Sequence, residues 1–290
     1  MDSFHEGERR VQQRTGQMLE ADRNSAMIAA RIPGGAIPFL SQQPLLVLAV
    51  LEGESMWCLP ITGKIGWMSA TPDMIELDIG RLWAPVDRRI LNAAEEHQLV
   101  GGIVLDFATR RRLRVNGELE LVSEELMTLR VKEAYPNCPK YISRRDLVAL
   151  EDTALAFDQE GDSLTMDQRI AFESSDILFI ATRHPERGSD ASHRGGNPGF
   201  VQSPSAREVC FPDYVGNSMF NTFGNLEIDS RAGILLPDFN RGRALAISGS
   251  AAVNYEYDGR SRQTKLAVER WSWVSLPLIE VQRELSPFNP

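Results

Sequence analysis

The feature that most limits how this chain can fold is a pattern of strand and turn signatures that occurs twice. Gly63-Lys64-Ile65-Gly66-Trp67 in the first half matches Gly196-Asn197-Pro198-Gly199-Phe200 in the second, with a shared G-x-x-G-aromatic pattern. The apolar run near residue 45 matches Ile177-Leu178-Phe179-Ile180 at the same offset of about 130 residues. Short apolar runs bounded by tight turns are typical of antiparallel strands. The sequence therefore predicts two copies of a barrel-like unit of about six strands.

Helical signals lie mainly before and between the two strand-rich regions. Residues 1–31 carry an approximate helical stripe of apolar residues, which Pro33-Gly34-Gly35 ends. Thr165 is placed to cap a helix that begins at Met166. Within the first half we predict a helix from Pro85 through Leu99, a single strand over 121–134 and a short helix over 143–150. The predicted segments are a helical lead-in (1–38), a first unit (39–150), a linker with a helix (151–175) and a second unit (176–290).

Composition excludes several classes of function. The net charge of −9 and the pI near 5.1 argue against a nucleic-acid-binding protein, which usually presents a basic surface. No apolar run approaches the ~20 residues that span a bilayer, and the charged first residues do not form a secretory signal. The three cysteines are far apart and the four histidines lack metal-ligand spacing, so neither disulfides nor a metal site are predicted. We expect a cytoplasmic protein.

One short stretch combines the groups that an anion pocket needs. Ser192, His193 and Arg194 supply a hydroxyl, an imidazole and a guanidinium, and Gly195 and Gly196 follow directly. Arginine binds phosphate through two parallel hydrogen bonds, and adjacent glycines let backbone N–H groups approach an anion closely. A surface turn with an incidental arginine is the alternative.

The matching stretch of the first half, residues 58–63, has no charged anchor before its glycine. A tandem duplication would build inside one chain the cleft that an isologous dimer shares. We therefore expect one site per chain, formed mainly by the second half and covered by the first, and dimerisation of the duplicated chain stays open.

Several stretches spread over nearly the whole chain carry a family resemblance. They are Phe4–Glu8, Arg110–Gly117, Asn137–Ile142, Ser192–Gly196, Gly216-Asn217 and Thr222–Asn225. In these stretches the chain resembles the pyridoxamine 5′-phosphate oxidase-like family, and more closely a long two-copy subgroup of it. The resemblance implies a mainly β (α+β) fold of two tandem FMN-binding split β-barrels with flanking helices. It also implies that FMN lies in a cleft between the two barrels.

The resemblance also implies roles for individual residues. Arg194 would bind the FMN phosphate, with Ser192, His193, Gly195 and Gly196 beside it. Asn217 and Ser218 stand where the family often has a hydroxyl and a lysine, so this chain departs from the pattern there. The further residues expected around the flavin are Asp213, Tyr214, Asn221, Thr222 and Asn225 from the second unit, and Arg112, Arg114, Lys140 and Tyr141 from the first.

Two of these assignments have structural alternatives. Asn225 could be a helix C-cap, and the arginine run at 110–114 could be a solvated turn. No nucleophile or partnered carboxylate indicates a catalytic residue.

The function implied is an FMN-dependent oxidoreductase acting on a small-molecule substrate, with O2 or a separate reductase as electron partner. The alternatives are a non-catalytic flavin- or haem-binding module for sensing, storage or cofactor handling, and a scaffold without cofactor.

Overall fold

The computed structural model of the chain describes residues 3–150, 159–256 and 262–290, so 151–158 of the predicted linker lie outside the described residues. The helices are α1 (Glu6–Arg14), α2 (Met18–Ser25), α3 (Ile37–Ser41), α4 (Arg88–Glu95), α5 (Met166–Ser174) and α6 (Asn221–Leu226). The strands of the first half are β1 (Leu45–Glu52), β2 (Ser55–Thr62), β3 (Met68–Ala70), β4 (Met74–Asp78), β5 (Leu99–Asp106), β6 (Arg111–Ser123), β7 (Leu126–Pro136) and β8 (Arg144–Ala149). Those of the second are β9 (Glu160–Gly161), β10 (Ile177–His184), β11 (Gly188–Gly195), β12 (Gln202–Ser205), β13 (Glu208–Asp213), β14 (Arg231–Asp238), β15 (Arg243–Asn254), β16 (Arg262–Ser275) and β17 (Leu278–Glu284).

Two antiparallel sheets dominate the fold, and they have the same strand order. The first is β2-β1-β5-β6-β7-β4-β3, and the second is β11-β10-β14-β15-β16-β13-β12, with the short β9 added beside β16. Each strand of the first sheet therefore has a counterpart at the same place in the second. The predicted fold class, mainly β with split-barrel-type sheets and flanking helices, is confirmed. No helix among the described residues is long and apolar enough to cross a membrane.

The apolar runs form strands because both of their faces are covered. Residues 45–50 of β1 are all buried, as expected for a strand with packing on both sides of its sheet. The core of the first unit continues into the second, where Phe179, Leu235 and Ala246 belong to it. Burying each large apolar side chain contributes roughly 1.5–3 kcal/mol, so this shared core fixes the two sheets relative to each other.

The two sheets approach each other closely at two equivalent glycines, one in each sheet. Gly101 on β5 lies against β11, where an added Cβ would collide with the carbonyl oxygen of Ser189. Gly233, at the equivalent place on β14, lies against β2, where an added Cβ would come within 2.7 Å of the carbonyl oxygen of Met56. A side chain at either position would force the backbones apart.

The predicted short helix at 143–150 is wrong, because this segment is the strand β8. It pairs with β17 in a separate two-stranded sheet. Arg145 on β8 is buried and bonds both Asp176 and Glu280, while its neighbours Arg144 and Asp146 are exposed. The partner strand comes from the other end of the chain, so local sequence could not reveal it.

The other predicted elements need smaller corrections. The single strand predicted at 121–134 is a hairpin, because β6 continues to Ser123 and β7 begins at Leu126. The helix predicted from Pro85 through Leu99 is α4, which Asp87 caps and which ends at Glu95. The lead-in is confirmed as helical and contains two helices. The helix predicted after Thr165 is also confirmed, with Thr165 and Gln168 forming a capping box.

Adding a methyl group at Gly101 should destabilise the fold. In Gly101→Ala the new Cβ would lie 2.5 Å from the Cα of Asp190, so we expect a loss of roughly 2 kcal/mol or more in the free energy of unfolding. The matched control is Gly35→Ala, because nothing lies within 4 Å of a Cβ there. Chemical denaturation measures both, and equal stabilities would contradict the proposed close packing.

Candidate functional site

A cleft opens between the two units where the start of β6 faces the end of β11. Its space between the walls and the opening is about 880 Å³, of which about 100 Å³ admits the centre of a water molecule. The space that admits a water molecule is small because side chains fill most of the depth of the cleft. The predicted site residues that line it are Arg112, Arg114, Lys140, Tyr141, His193, Arg194, Gly195, Asp213, Tyr214, Asn217, Ser218, Asn221 and Thr222.

The cleft is strongly basic in an otherwise acidic protein. Arg112, Arg114, Lys140, Arg194 and Arg262 line it, and Asp213 is the single acidic residue among the described residues of the lining. Asp213 accepts from Arg194 Nη1 at 2.9 Å and from Arg262 Nε at 3.0 Å. Asp190 on β11 also lies 3.9 Å from Arg114 Nη1, so two carboxylates neutralise part of this cluster of five cations.

Strand geometry brings two of these arginines to the same wall. Arg112 and Arg114 alternate along β6, so both point to one face. Arg112 donates from Nη2 to the carbonyl oxygen of Cys138 at 2.7 Å. Arg114 donates from Nη1 to the Tyr135 hydroxyl and to Asn221 Oδ1, each at 3.2 Å, and its Nη2 bonds the Ser192 hydroxyl.

Each of three guanidinium groups keeps one donor without a partner. The Nε atoms of Arg112, Arg114 and Arg194 are buried and have no hydrogen-bond partner within the described protein, and the same holds for Asn137 Nδ2. A buried donor without a partner costs about 1–3 kcal/mol, and more if it is charged. Four such donors lie around this one cleft.

The neighbouring cations also govern the ionisation of the cleft. Burial, and then the charge of Arg114, lowers the pKa of Arg112 to about 9, and Arg194 adds to this effect. A guanidinium still keeps its proton at neutral pH. The lowered pKa of Arg112 therefore reflects first its burial and second the positive charges beside it.

His193 is a neutral donor in this environment. Burial, and then the nearby charges of Arg112, Arg145 and Arg194, lowers its pKa well below the usual value. Its Nδ1 is 3.2 Å from Arg112 Nη1, and because a guanidinium can only donate, Nδ1 accepts this bond. The proton of the neutral ring is then on Nε2. This arrangement does not suit a general base, which works best with a pKa near the operating pH.

The mouth of the cleft is built from backbone in an uncommon conformation. Tyr141, Ser218 and Phe220 have positive φ angles of 64°, 61° and 63°. The Tyr141 hydroxyl donates to the carbonyl oxygen of Val215 at 3.2 Å, and its ring lies 5.2 Å from that of Tyr214. Left-handed non-glycine residues cost energy and cluster at functional sites. The two tyrosines thus join the two units over the opening.

Three of the predicted site residues are not in the lining of the cleft. Ser192 lies behind Arg114 and shares a hydrogen bond with Thr222. Gly196 makes room for the ring of Phe200, and its N–H donates to the carbonyl oxygen of Asp176. Gly63 makes room for Trp67 in the same way, so the repeated G-x-x-G-aromatic pattern is explained by packing in both halves.

Asn225, the third, belongs to an internal hydrogen-bond network rather than to a helix cap. Its Nδ2 donates to Thr182 Oγ1 at 3.1 Å and to Asp190 Oδ2 at 2.8 Å. The C-cap of α6 is Glu227. The sequence presented a cap and a ligand contact as the two alternatives, and the structure places this side chain in neither position.

The equivalent place in the first unit is closed. By strand order and register, Ile61 on β2 takes the place of Arg194 on β11, and Ala244 on β15 takes the place of Arg112 on β6. Both residues are buried. The segment after β4 lies across the end of β2, because Trp83 N donates to Thr62 O at 3.1 Å and Lys64 N donates to Arg81 O at 3.0 Å. Apolar packing and backbone hydrogen bonds thus occupy the place where the second unit has its cleft.

Some residues of the site escaped sequence analysis. Arg262 begins β16 and reaches the cleft because it pairs with Asp213 across the sheet. Gln17 follows α1, and its Oε1 accepts from the Ser218 hydroxyl at 2.7 Å. Strand pairing and the docking of the lead-in helices decide both positions, and neither leaves a local signal.

A cluster of His5, Glu6 and His184 also has the composition of a metal site. However, Nδ1 of His5 accepts from Gly7 N, and Nδ1 of His184 accepts from the N–H groups of Glu186 and Arg187. In the neutral rings the proton is then on Nε2, the atom that would have to bind a metal. The cluster is better described as a hydrogen-bonded contact between α1 and β10.

Comparison with known proteins gives a likeness at the level of fold. No family model matches the chain, and no curated protein matches it. A putative pyridoxamine 5′-phosphate oxidase from Lactobacillus delbrueckii is 12% identical, covers 38% of this chain and 93% of its own, and has a TM-score of 0.31. HupZ from Group A Streptococcus is 12% identical, with 42% and 98% covered and a TM-score of 0.30. A protein related to general stress protein 26, of the pyridoxinephosphate oxidase family, from Clostridium acetobutylicum is 11% identical, with 40% and 92% covered and a TM-score of 0.30. At these values the similarity does not assign a function.

Proposed function

We propose that the cleft binds FMN and that the protein is an oxidoreductase of the pyridoxamine 5′-phosphate oxidase-like type. The observation that carries the proposal is the set of buried guanidinium Nε donors of Arg112, Arg114 and Arg194, which lack a partner around one cleft of the described protein. A phosphate dianion offers several acceptor oxygens and two negative charges. It would supply partners for these donors and offset the repulsion that lowers the pKa of Arg112.

The shape of the cleft supports a ligand that is anionic at one end and flat at the other. The narrow interior is lined by arginines, and the mouth carries the rings of Tyr141 and Tyr214. The phosphate and the ribityl chain of FMN would lie inside, and the flavin ring would lie at the mouth beside the tyrosines. Asn217, Ser218 and Lys140 line the same cleft and could contact the polar edges of the ligand.

When bound, the flavin supplies the transfer of electrons or hydride. The residues of the chain bind and orient it. Arg194 is oriented by Asp213, and the neutral His193 carries its ring proton on Nε2. Because His193 is held neutral, proton abstraction from a substrate by this group is disfavoured. We propose that the electron partner is O2 or a separate reductase and that the substrate is a small molecule.

The second candidate is a non-catalytic module that stores or senses the flavin. The observation in its favour is that the mouth is bridged by the Tyr141 contact with Val215, which restricts access to the interior. A substrate would then have to reach the ring from outside the tyrosine pair.

Flavin titrations test the binding site. The purified protein should bind FMN more tightly than riboflavin, with saturation at about one FMN per chain. Arg194→Ala should weaken FMN binding roughly tenfold or more, because a charge-assisted hydrogen bond to phosphate is lost, and should leave riboflavin binding unchanged. Arg130→Ala, an exposed arginine on β7, is the matched control. Equal affinity of Arg194→Ala and the wild type for FMN would contradict the assignment of this residue.

Anaerobic reduction distinguishes the oxidoreductase from the storage module. An oxidoreductase should allow NADH or NADPH to reduce the bound flavin, or should let O2 reoxidise the reduced flavin at least about tenfold faster than free FMN. Visible absorbance follows both reactions. A bound flavin that neither nicotinamide reduces, and that O2 reoxidises no faster than free FMN, would favour the storage module.

A further inference from the structure

The lead-in helix α1 places a buried carboxyl group directly behind the cleft. Glu8 is 4% exposed, and its two oxygens are held by uncharged donors. Its Oε2 accepts from His5 N at 2.8 Å, which completes the capping box of α1. Its Oε1 accepts from Asn221 Nδ2 at 2.6 Å. Both oxygens of this carboxyl group therefore accept hydrogen bonds, one from the helix itself and one from a residue of the cleft.

The bond from Asn221 decides what Asn221 presents to the cleft. An amide has one donor end and one acceptor end. Since Nδ2 donates to Glu8, Oδ1 is the end that accepts from Arg114 Nη1 at 3.2 Å. With the amide reversed, its NH2 group would face the guanidinium, and two donors would oppose each other. The orientation of Asn221, and with it one of the hydrogen bonds that place Arg114, thus depends on an acceptor at position 8.

We propose that Glu8 is a positioning residue of the anion site, which holds Arg114 in the cleft through the Asn221 amide. The inference rests on the proposed function in taking the cleft to be an anion site, but it does not require the anion to be FMN. It assigns the lead-in helices a part in binding that their sequence does not suggest.

The contact between α1 and α6 is tight enough to fix the position of Glu8. Gly7 and Gly224 face each other, and a Cβ at Gly224 would lie 2.5 Å from the backbone nitrogen of Glu8. Gln12 Nε2 donates to the carbonyl oxygen of Met219 at 3.1 Å, and Arg14 bonds Glu227 at 2.6 Å. These contacts bind successive turns of α1 to α6 and its preceding loop, so Glu8 has little freedom to move away from Asn221.

The buried position of Glu8 and the charges around it also shift its pKa. Burial, and then the negative charge of Asp190, raises the pKa of Glu8 to about 8. The ionisable groups around it are Asp190 on β11, Glu133 and Tyr135 on β7, Arg114 on β6, His184 on β10, and His5 and Glu6 at the start of α1. Because the folded pKa lies above the ordinary value of 4.5, the folded protein binds the proton more tightly than the unfolded chain. The stability contributed by this proton is fully present below about pH 4.5 and is lost as pH rises through about 8.

The test compares Glu8→Gln, Asn221→Ala and the double variant, with Glu20→Gln on the exposed face of α2 as the matched control. The side chain of glutamine has one acceptor oxygen, whereas the two oxygens of Glu8 each accept a hydrogen bond. The Glu8→Gln variant therefore loses one of these two bonds. We expect Glu8→Gln and Asn221→Ala each to weaken inorganic phosphate binding roughly three- to tenfold. The double variant should bind no more weakly than Asn221→Ala, because Glu8 acts through Asn221. Protection against thermal unfolding by phosphate measures all four.

Two further readouts separate positioning from a general loss of structure. Glu8→Gln should weaken FMN binding while riboflavin binding is retained, and its stability relative to the wild type should rise between about pH 5 and pH 8. Phosphate binding by Glu8→Gln equal to that of the wild type would overturn the inference, as would a double variant weakened by the product of the two single effects. If phosphate follows the expected pattern and FMN does not bind, the inference stands and the proposed cofactor fails. If the wild type binds neither ligand, both fail.

Discussion

The concentration of guanidinium groups between the two units is the constraint on which the account of this protein depends. Arg112, Arg114 and Arg194 lie around one narrow cleft whose described lining has a single carboxylate, Asp213, and each keeps a buried donor without a partner. Such an arrangement is costly in a protein that binds nothing there, because like charges repel and buried donors lose their water. Burial, together with this concentration of charge, lowers the pKa of Arg112 and of His193, whereas the hydrogen bond to Glu8 orients Asn221.

The two sheets supply the framework that holds these charges together. They have the same strand order, and they meet at equivalent glycines, Gly101 and Gly233, as two subunits of a symmetrical dimer would. The two equivalent places at the ends of the sheets differ, because one forms the cleft and the other is filled. Ile61 of the first unit and Ala244 of the second stand where the second cleft would need arginines, and the segment that ends at Trp83 covers the space.

The strands and turns whose signals lie within a short stretch of sequence were predicted correctly. The apolar runs and turns indicated the paired strands of both sheets, and alternation along β6 indicated that Arg112 and Arg114 share a face. The errors arise where distant residues decide. Residues 144–149 form a strand because β17 pairs with them, and Arg262 reaches the cleft through its pairing with Asp213. Glu8 lies in a stretch that carries the family resemblance but received no role from the sequence, and only the docking of α1 on α6 shows that it is buried behind the cleft.

Phosphorus NMR of the protein with bound FMN tests the central claim most directly, because it observes the one group that the arginines are proposed to bind. A free phosphate monoester takes up its second proton near pH ~6. Bound among Arg112, Arg114 and Arg194, the phosphate should stay dianionic, so its resonance should not titrate between about pH 5 and pH 8. A resonance that titrates near pH ~6, as in free FMN, would place the phosphate in solvent and contradict the account.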